Sequence, residues 1–393
     1  MDRFRVSAAA AAAAAVVGSV ACGGDRGALE ARPDSAALVT TLGVDTVAVE
    51  RFVTTPERVE AEAVIRTPRA TYRRYVLERG AGGEPARLEV QVWPAGARGG
   101  PPLRTETVTF EGDSIRIESN SDGTVGRETL PGAAGAVRLE DYLYWPLDLA
   151  LRTAMRGEGD SVVTRVLTED GISEWTFVRT PDDSVQVLQP DGGRQAARID
   201  ARGRLRGLSS LPASTGLTVQ RQPWVALDSL ADHFATLEEA GRGLGPLAGR
   251  AETVVRTGRA AVRIDYGTPA RRGRVIWGGL VPYGEVWRTG ANLATHLETD
   301  RDLRIGDLDV PKGRYTLFTI PDQARSQLVL NRQTGQPGNQ YDESQDLGRV
   351  TLQHRVLAEP VDVLEIGLTV GGSKGELTIR WDRLELVAPV EIR

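Results

Sequence analysis

Five residues able to do chemistry crowd into one short stretch: Tyr283, Arg288, Asn292, Thr295 and His296. The planar guanidinium of Arg288 suits a carboxylate or a phosphate. Asn292 and Thr295 would add directional hydrogen bonds, and Tyr283 a ring and a hydroxyl. Together they could hold a small anionic or sugar-like ligand. The same side chains could instead form a buried network that fixes a loop onto a sheet, and both readings stand at this point. A third is hydrolysis around Arg288, Asn292 and His296. It requires an open pocket and a carboxylate within hydrogen-bond reach of His296. No residue is assigned a catalytic role, and no cofactor is expected.

Other chemistries lack their residues. His233, His296 and His354 are far apart, with no pair at metal-ligand spacing, so no metal site is expected. Gly371-Gly372-Ser373-Lys374-Gly375 fits G-x-S-x-G literally. That motif needs a strand-to-helix elbow, and strand patterns flank it on both sides here, so it reads as a hairpin turn. No phosphate-loop or dinucleotide fingerprint occurs in context. The formal net charge of −5 argues against nucleic acid, which needs a basic face.

The remaining reactive group is Cys22, the single cysteine of the chain, which cannot form an internal disulfide. It follows a basic lead, Met1-Asp2-Arg3-Phe4-Arg5, and an apolar run from Val6 to Ala21. A charged start, a short apolar run and small residues at the cut describe an export signal. The run falls short of the ~20 strongly apolar residues that a bilayer span needs. The segment resembles a bacterial lipoprotein signal, with Ser19 where Leu or Val is usual. That resemblance implies cleavage before Cys22, acylation of its thiol and retention at a membrane of the cell envelope. Asp25 stands away from the position next to Cys22, so the choice of inner or outer membrane is not readable.

These residues need elements to position them. Residues 1–21 read as the signal and 22–52 as a flexible polar tether. From about Val53 the pattern alternates, with turn signals such as Gly-Ala-Gly-Gly at 80–83 and Ser-Asp-Gly at 121–123. Spacing of about ten residues between such signals predicts a meander of hairpins over 53–221. One segment breaks the pattern: Leu143, Leu147 and Leu151 have helical spacing, and Pro146 suits a first turn, so a helix is predicted near 146–156. A meander with one apolar helix resembles the open half-barrels that carry lipids or lipoproteins in bacterial envelopes. The helix could line such a cradle or simply plug the sheet as core. Residues 222–249 read as a helical connector with Leu227, Leu230, Phe234 and Leu237 on one face, broken by Gly241-Arg242-Gly243. Over 250–393 roughly nine short alternating runs predict two packed sheets, a β-sandwich. The fold class is therefore mainly β.

The last region carries a long motif. It runs Arg274-Val275-Ile276-Trp277-Gly278-Gly279-Leu280-Val281-Pro282-Tyr283-Gly284-Glu285-Val286-Trp287-Arg288-Thr289-Gly290-Ala291-Asn292. Val310-Pro311-Lys312-Gly313-Arg314-Tyr315 and a closing Leu377-Thr378-Ile379-Arg380-Trp381 follow. It closely resembles DUF2911, a bacterial family of unknown function. The resemblance implies a fold and an exported setting but no activity. Glu285–Thr289 reads as a strand within it. The expected function is a non-enzymatic envelope lipoprotein that binds a small ligand or an envelope protein. A lipid or lipoprotein carrier and a hydrolase are the alternatives.

Overall fold

The computed structural model describes residues 34–157, 159–182, 184–190, 192–210, 216–258 and 260–393. Cys22, the signal and the start of the tether lie outside the described residues.

The chain is mainly β, and its first part is one antiparallel meander. In order come β1 (Asp34–Leu42), β2 (Asp45–Thr54), β3 (Arg58–Ile65), β4 (Thr71–Arg79), β5 (Pro85–Pro94), β6 (Arg104–Glu111), β7 (Ser114–Ser121) and β8 (Thr124–Pro131). Then β9 (Val137–Arg138), α1 (Trp145–Ala154), β10 (Ser161–Thr168), β11 (Gly171–Arg179), β12 (Ser184–Leu188), β13 (Arg194–Ile199), β14 (Leu205–Ser210) and β15 (Leu217–Gln222) follow. Strand order runs from β8 down to β1, across to β15 and on down to β9. The two halves meet where β1 pairs with β15, and β9 adds the one parallel pairing, on β10. The end strands β8 and β9 are not paired, so the sheet is not a closed barrel.

Residues 34–52 correct the expected tether, because they form β1 and β2 at the middle of this sheet. Both faces there are covered. On one side Ala36, Leu38, Ala48 and Phe52 join Trp145, Leu147 and Leu151 of α1. On the other, Val39 and Val49 meet Leu227, Ala231 and Phe234 of α2 (Leu227–Glu239). Burial on both faces removes the period-two alternation that reveals a strand. Small and apolar residues then look like low complexity.

The structure places a buried acid beneath α1. Glu50 stands between Ala48 and Phe52 on the inner face of β2 and is 1% exposed. It accepts hydrogen bonds from Tyr144 N at 2.7 Å and Trp145 N at 3.2 Å, so a neighbouring strand caps the helix start. Burial pushes its pKa up to about 8, against the pull of the two amides, and the Asp148 carboxylate adds to the rise. A native value above the unfolded one gives a contribution that is full below the unfolded value. It is lost as pH rises through about 8. Unfolding free energy should therefore fall from pH 5 to pH 9 by on the order of a few kcal/mol. Glu50→Gln should flatten that slope in urea titrations, and an unchanged slope would refute the assignment.

The C-terminal part is a two-sheet sandwich. One sheet holds β16 (Ala248–Thr257), β17 (Ala260–Pro269), β18 (Thr295–Thr299), β21 (Gly313–Ile320), β22 (Gln327–Asn331) and β23 (Asp346–Thr351), in that order. The other holds β20 (Leu308–Val310), β19 (Leu303–Ile305), β25 (Lys374–Ile392) and β24 (Gln353–Gly371). Ile264, Leu297, Leu317 and Leu330 from the first pack with Ile305, Ile366, Ile379 and Leu386 from the second. Two of the strands reach 19 residues, longer than the short runs expected. The β1–β2 turn also touches this part, since Val44 N donates to Arg272 O at 3.0 Å and Arg272 pairs with Asp45 at 2.7 Å.

Candidate functional site

The motif segment occupies 270–294, between β17 and β18, and is not a strand. Glu285–Thr289 corrects the expected strand: Trp287 alone bridges, exchanging backbone hydrogen bonds of 2.8 Å with Thr319. Indole packing holds the segment down. Trp287 stacks on Trp381 at 5.8 Å and 16°, and Trp277 meets Trp287 edge-on at 5.8 Å. Trp277 Nε1 donates to Trp381 O and Trp381 Nε1 to Asp362 O, both at 3.1 Å. Trp277 and Trp381 thus each find an acceptor for the one donor of the indole.

Backbone contact completes the attachment. A Cβ on Gly267 would lie 2.1 Å from Ala291 O, so β17 and the loop meet main chain to main chain. Thr289 is fully buried at φ +51°, a costly conformation for a β-branched residue. Its hydroxyl lies 2.7 Å from that of Thr319, and its carbonyl accepts from Thr295 Oγ1 at 2.9 Å.

These contacts separate the five residues of the expected cluster. Thr295 is fully buried and bound to the loop backbone. His296, next in the strand, faces the other way and is 6% exposed. Its Nε2 accepts from Gly335 N at 3.2 Å, while Nδ1 has no hydrogen-bond partner. Arg288 donates from Nη1 to Asn292 O at 3.5 Å, and that carbonyl also accepts from Gly338 N at 3.1 Å. Asn292 is exposed at φ +61°. Tyr283 is exposed, its ring against Gly278, where a Cβ would fall 2.6 Å from the ring. Most of the polar groups therefore fix the loop to the sandwich, and they do not converge on one space.

The hydrolase arrangement is absent for the same reason. His296 is sealed under Gly335, and Asp265, its cross-strand partner, is held by Arg250 at 2.7 Å. Burial, followed by Arg314 and Arg250, holds the imidazole below its ordinary value. The Gly371–Gly375 run closes the turn between β24 and β25, as a hairpin should. Among the described residues no group of His, Cys, Asp and Glu could hold a metal ion.

Residues 249–390 match DUF2911, a protein family of unknown function. The match covers the C-terminal third of the chain. Its motif is thus the segment that lies across the end of the sandwich and staples itself there with Trp277, Trp287 and Trp381. No curated protein matches the chain. Among solved structures it is similar to a DUF1089 family protein from Pseudomonas aeruginosa. Identity there is 11%, coverage 41% of this chain and 89% of that one, and the TM-score 0.33. It is also similar to a β-barrel-like DUF1849 protein from Brucella abortus, at 13% identity, 50% and 100% coverage and a TM-score of 0.32.

The N-terminal sheet offers little space on its inner face. Trp145, Leu147, Ala150, Leu151 and Ala154 of α1 fill it, so the helix acts as core. A cavity of about 10 Å³ remains, lined by Tyr75, Leu88, Arg138, Glu140, Leu143, Trp145 and Pro146. That is room for one water, against the ~300–1,000 Å³ of ligand pockets. Around it run ion pairs that sequence reading missed: Arg73 with Glu140, Arg104 with Glu106 at 3.4 Å and Arg138 with Glu106 at 3.4 Å. The one available signal was acids and arginines at inward positions of otherwise apolar strands.

Proposed function

We propose that the chain is a lipid-anchored envelope protein whose DUF2911 domain is a binding module, with no catalysis of its own. One observation carries the binding role. The motif segment buries Thr289 and leaves several large apolar side chains outside, with Val275 72%, Leu293 57%, Tyr283 38% and Val286 38% exposed. Large apolar side chains beside arginine are the usual content of a protein interface. Trp277, Trp287 and Thr289 hold that display rigidly, which lowers the ordering cost of binding. The anchor rests on Cys22 as the lone cysteine behind a short apolar run.

The test has two arms. Cys22→Ser should move the protein from the membrane fraction to the soluble one, and unchanged retention would remove the anchor. For binding, wild type and a Tyr283→Ala/Leu293→Ser variant are cross-linked in intact envelopes. A defined partner joined to wild type and lost in the variant is expected. Equal cross-linking of both, or turnover of an ester, amide or phosphate that His296→Ala abolishes, would overturn the reading.

A further inference from the structure

The outer face of the six-stranded sheet carries a row of polar side chains set side by side by strand register. Glu252, Asp265, His296, Thr316, Asn331 and Asp346 are successive cross-strand partners on β16, β17, β18, β21, β22 and β23. His296, Thr316 and Asn331 are buried, and segment 332–340 bonds to all three of them. Thr316 Oγ1 donates to Gln333 O at 2.6 Å, Gln333 N to Asn331 Oδ1 at 2.9 Å and Gln336 Nε2 to Thr316 Oγ1 at 3.1 Å. The fourth bond runs from Gly335 N to His296 Nε2 at 3.2 Å. Of these four, it alone depends on a titratable group. A backbone N–H can donate to Nε2 only while that nitrogen is unprotonated, so the neutral ring carries its proton on Nδ1. Protonation sets an Nε2–H against the Gly335 N–H and leaves two donors on a buried ring.

We propose that segment 332–340 is an acid-released cover over this polar row, latched by the hydrogen bond between Gly335 and His296. The segment is rich in Gly and Gln, with Gly335 at φ +81°, and Gly338 N ties it to Asn292 O at 3.1 Å, a bond that no titration touches. The charges around the imidazole are Asp265 from β17, Arg250 from β16 and Arg314 from β21, with Glu298 further along its own strand. The cover itself brings one charge, Arg332, whose guanidinium donates to Asp346 O at 3.1 Å, and the amides of Gln333 and Gln336. Burial and the two arginines depress the imidazole below 6.5, and Asp265 opposes them. A depressed histidine contributes fully above its unfolded value, and the contribution is lost as pH falls through the lower folded value. The cover is therefore closed at neutral pH and opens in mild acid. Opening would bring His296, Thr316 and Asn331 to solvent together.

Hydrogen exchange of the full chain at pH 7.5, 6.0 and 4.5, corrected for intrinsic rates, tests this. Protection of amides 333–336 and 338 should fall about tenfold or more toward pH 4.5, while β21 and β22 keep theirs. H296Q, whose amide oxygen can accept from Gly335 at any pH, should hold protection constant. Protection that follows β22 at every pH, or a pH response retained in H296Q, would overturn the proposal. Should H296Q not fold, the midpoint of opening in wild type is compared with the NMR titration of its histidines. Coincidence with His296 supports the latch, and coincidence with His233 or His354 instead refutes it.

Discussion

Trp381→Ala is expected to lower the stability of the C-terminal sandwich by ~3–5 kcal/mol, the range for deleting a buried indole. Trp381 is 1% exposed, and three separate contacts end on it. Its ring carries the stacked Trp287, its Nε1 binds Asp362 O and its carbonyl accepts from Trp277. Alanine keeps the carbonyl but removes the floor on which the motif segment lies. Trp381→Phe keeps an apolar floor and removes one of two donors to Asp362 O, which Arg271 N still serves, so a loss of about 1 kcal/mol is expected. Urea unfolding followed by far-UV circular dichroism reads both. A loss under about 1 kcal/mol for the alanine variant would show that the tryptophan cluster does not hold the segment.

Asp148→Ala should cost the N-terminal sheet a similar amount, ~3–5 kcal/mol, for an electrostatic reason. Asp148 lies on α1 with no exposed surface and accepts from Leu205 N at 2.7 Å and Arg221 at 3.1 Å, with Arg152 as a third partner. Asp34 shares both arginines, at 2.5 Å from Arg152 and 3.6 Å from Arg221. Removing Asp148 leaves the buried Leu205 amide without its acceptor and Arg221, 8% exposed, with only the longer contacts to Asp34 at 3.6 Å and Leu205 O at 3.3 Å. Much of the loss comes from the guanidinium that has lost its nearest carboxylate, so Asp148→Ala combined with Arg221→Met should lose less than the sum of the two changes. Strict additivity in that double-mutant cycle would show that the pair is not coupled.

Legibility in the sequence followed the number of faces an element exposes. Strands β5 and β6 alternate because one face meets water, and turn residues punctuate them. The helix at 145–154 was readable from Leu143, Leu147 and Leu151, whose spacing survives because one protein environment surrounds that face. β1 and β2 were not readable, since α1 and α2 cover both of their sides. Glu50 was missed with them: an acid in a supposed tether carries no signal, whereas the same acid on an inward strand position does.

The site divides along the same line. Residue types alone marked the stretch from Tyr283 to His296 as unusual, and the motif alone identified the family. Only the tertiary structure decided which side each residue faces. Adjacent positions on a strand point to opposite faces, so Thr295 went into the sandwich and His296 onto its outer side. Strand register then placed His296 beside Asp265 and Thr316, residues 31 and 20 positions away in the chain. Local sequence determined the β-rich class, the turns, the helices and the recognisable motif, because these depend on near neighbours. Pairing between distant strands, and the burial it imposes, determined what the polar residues do.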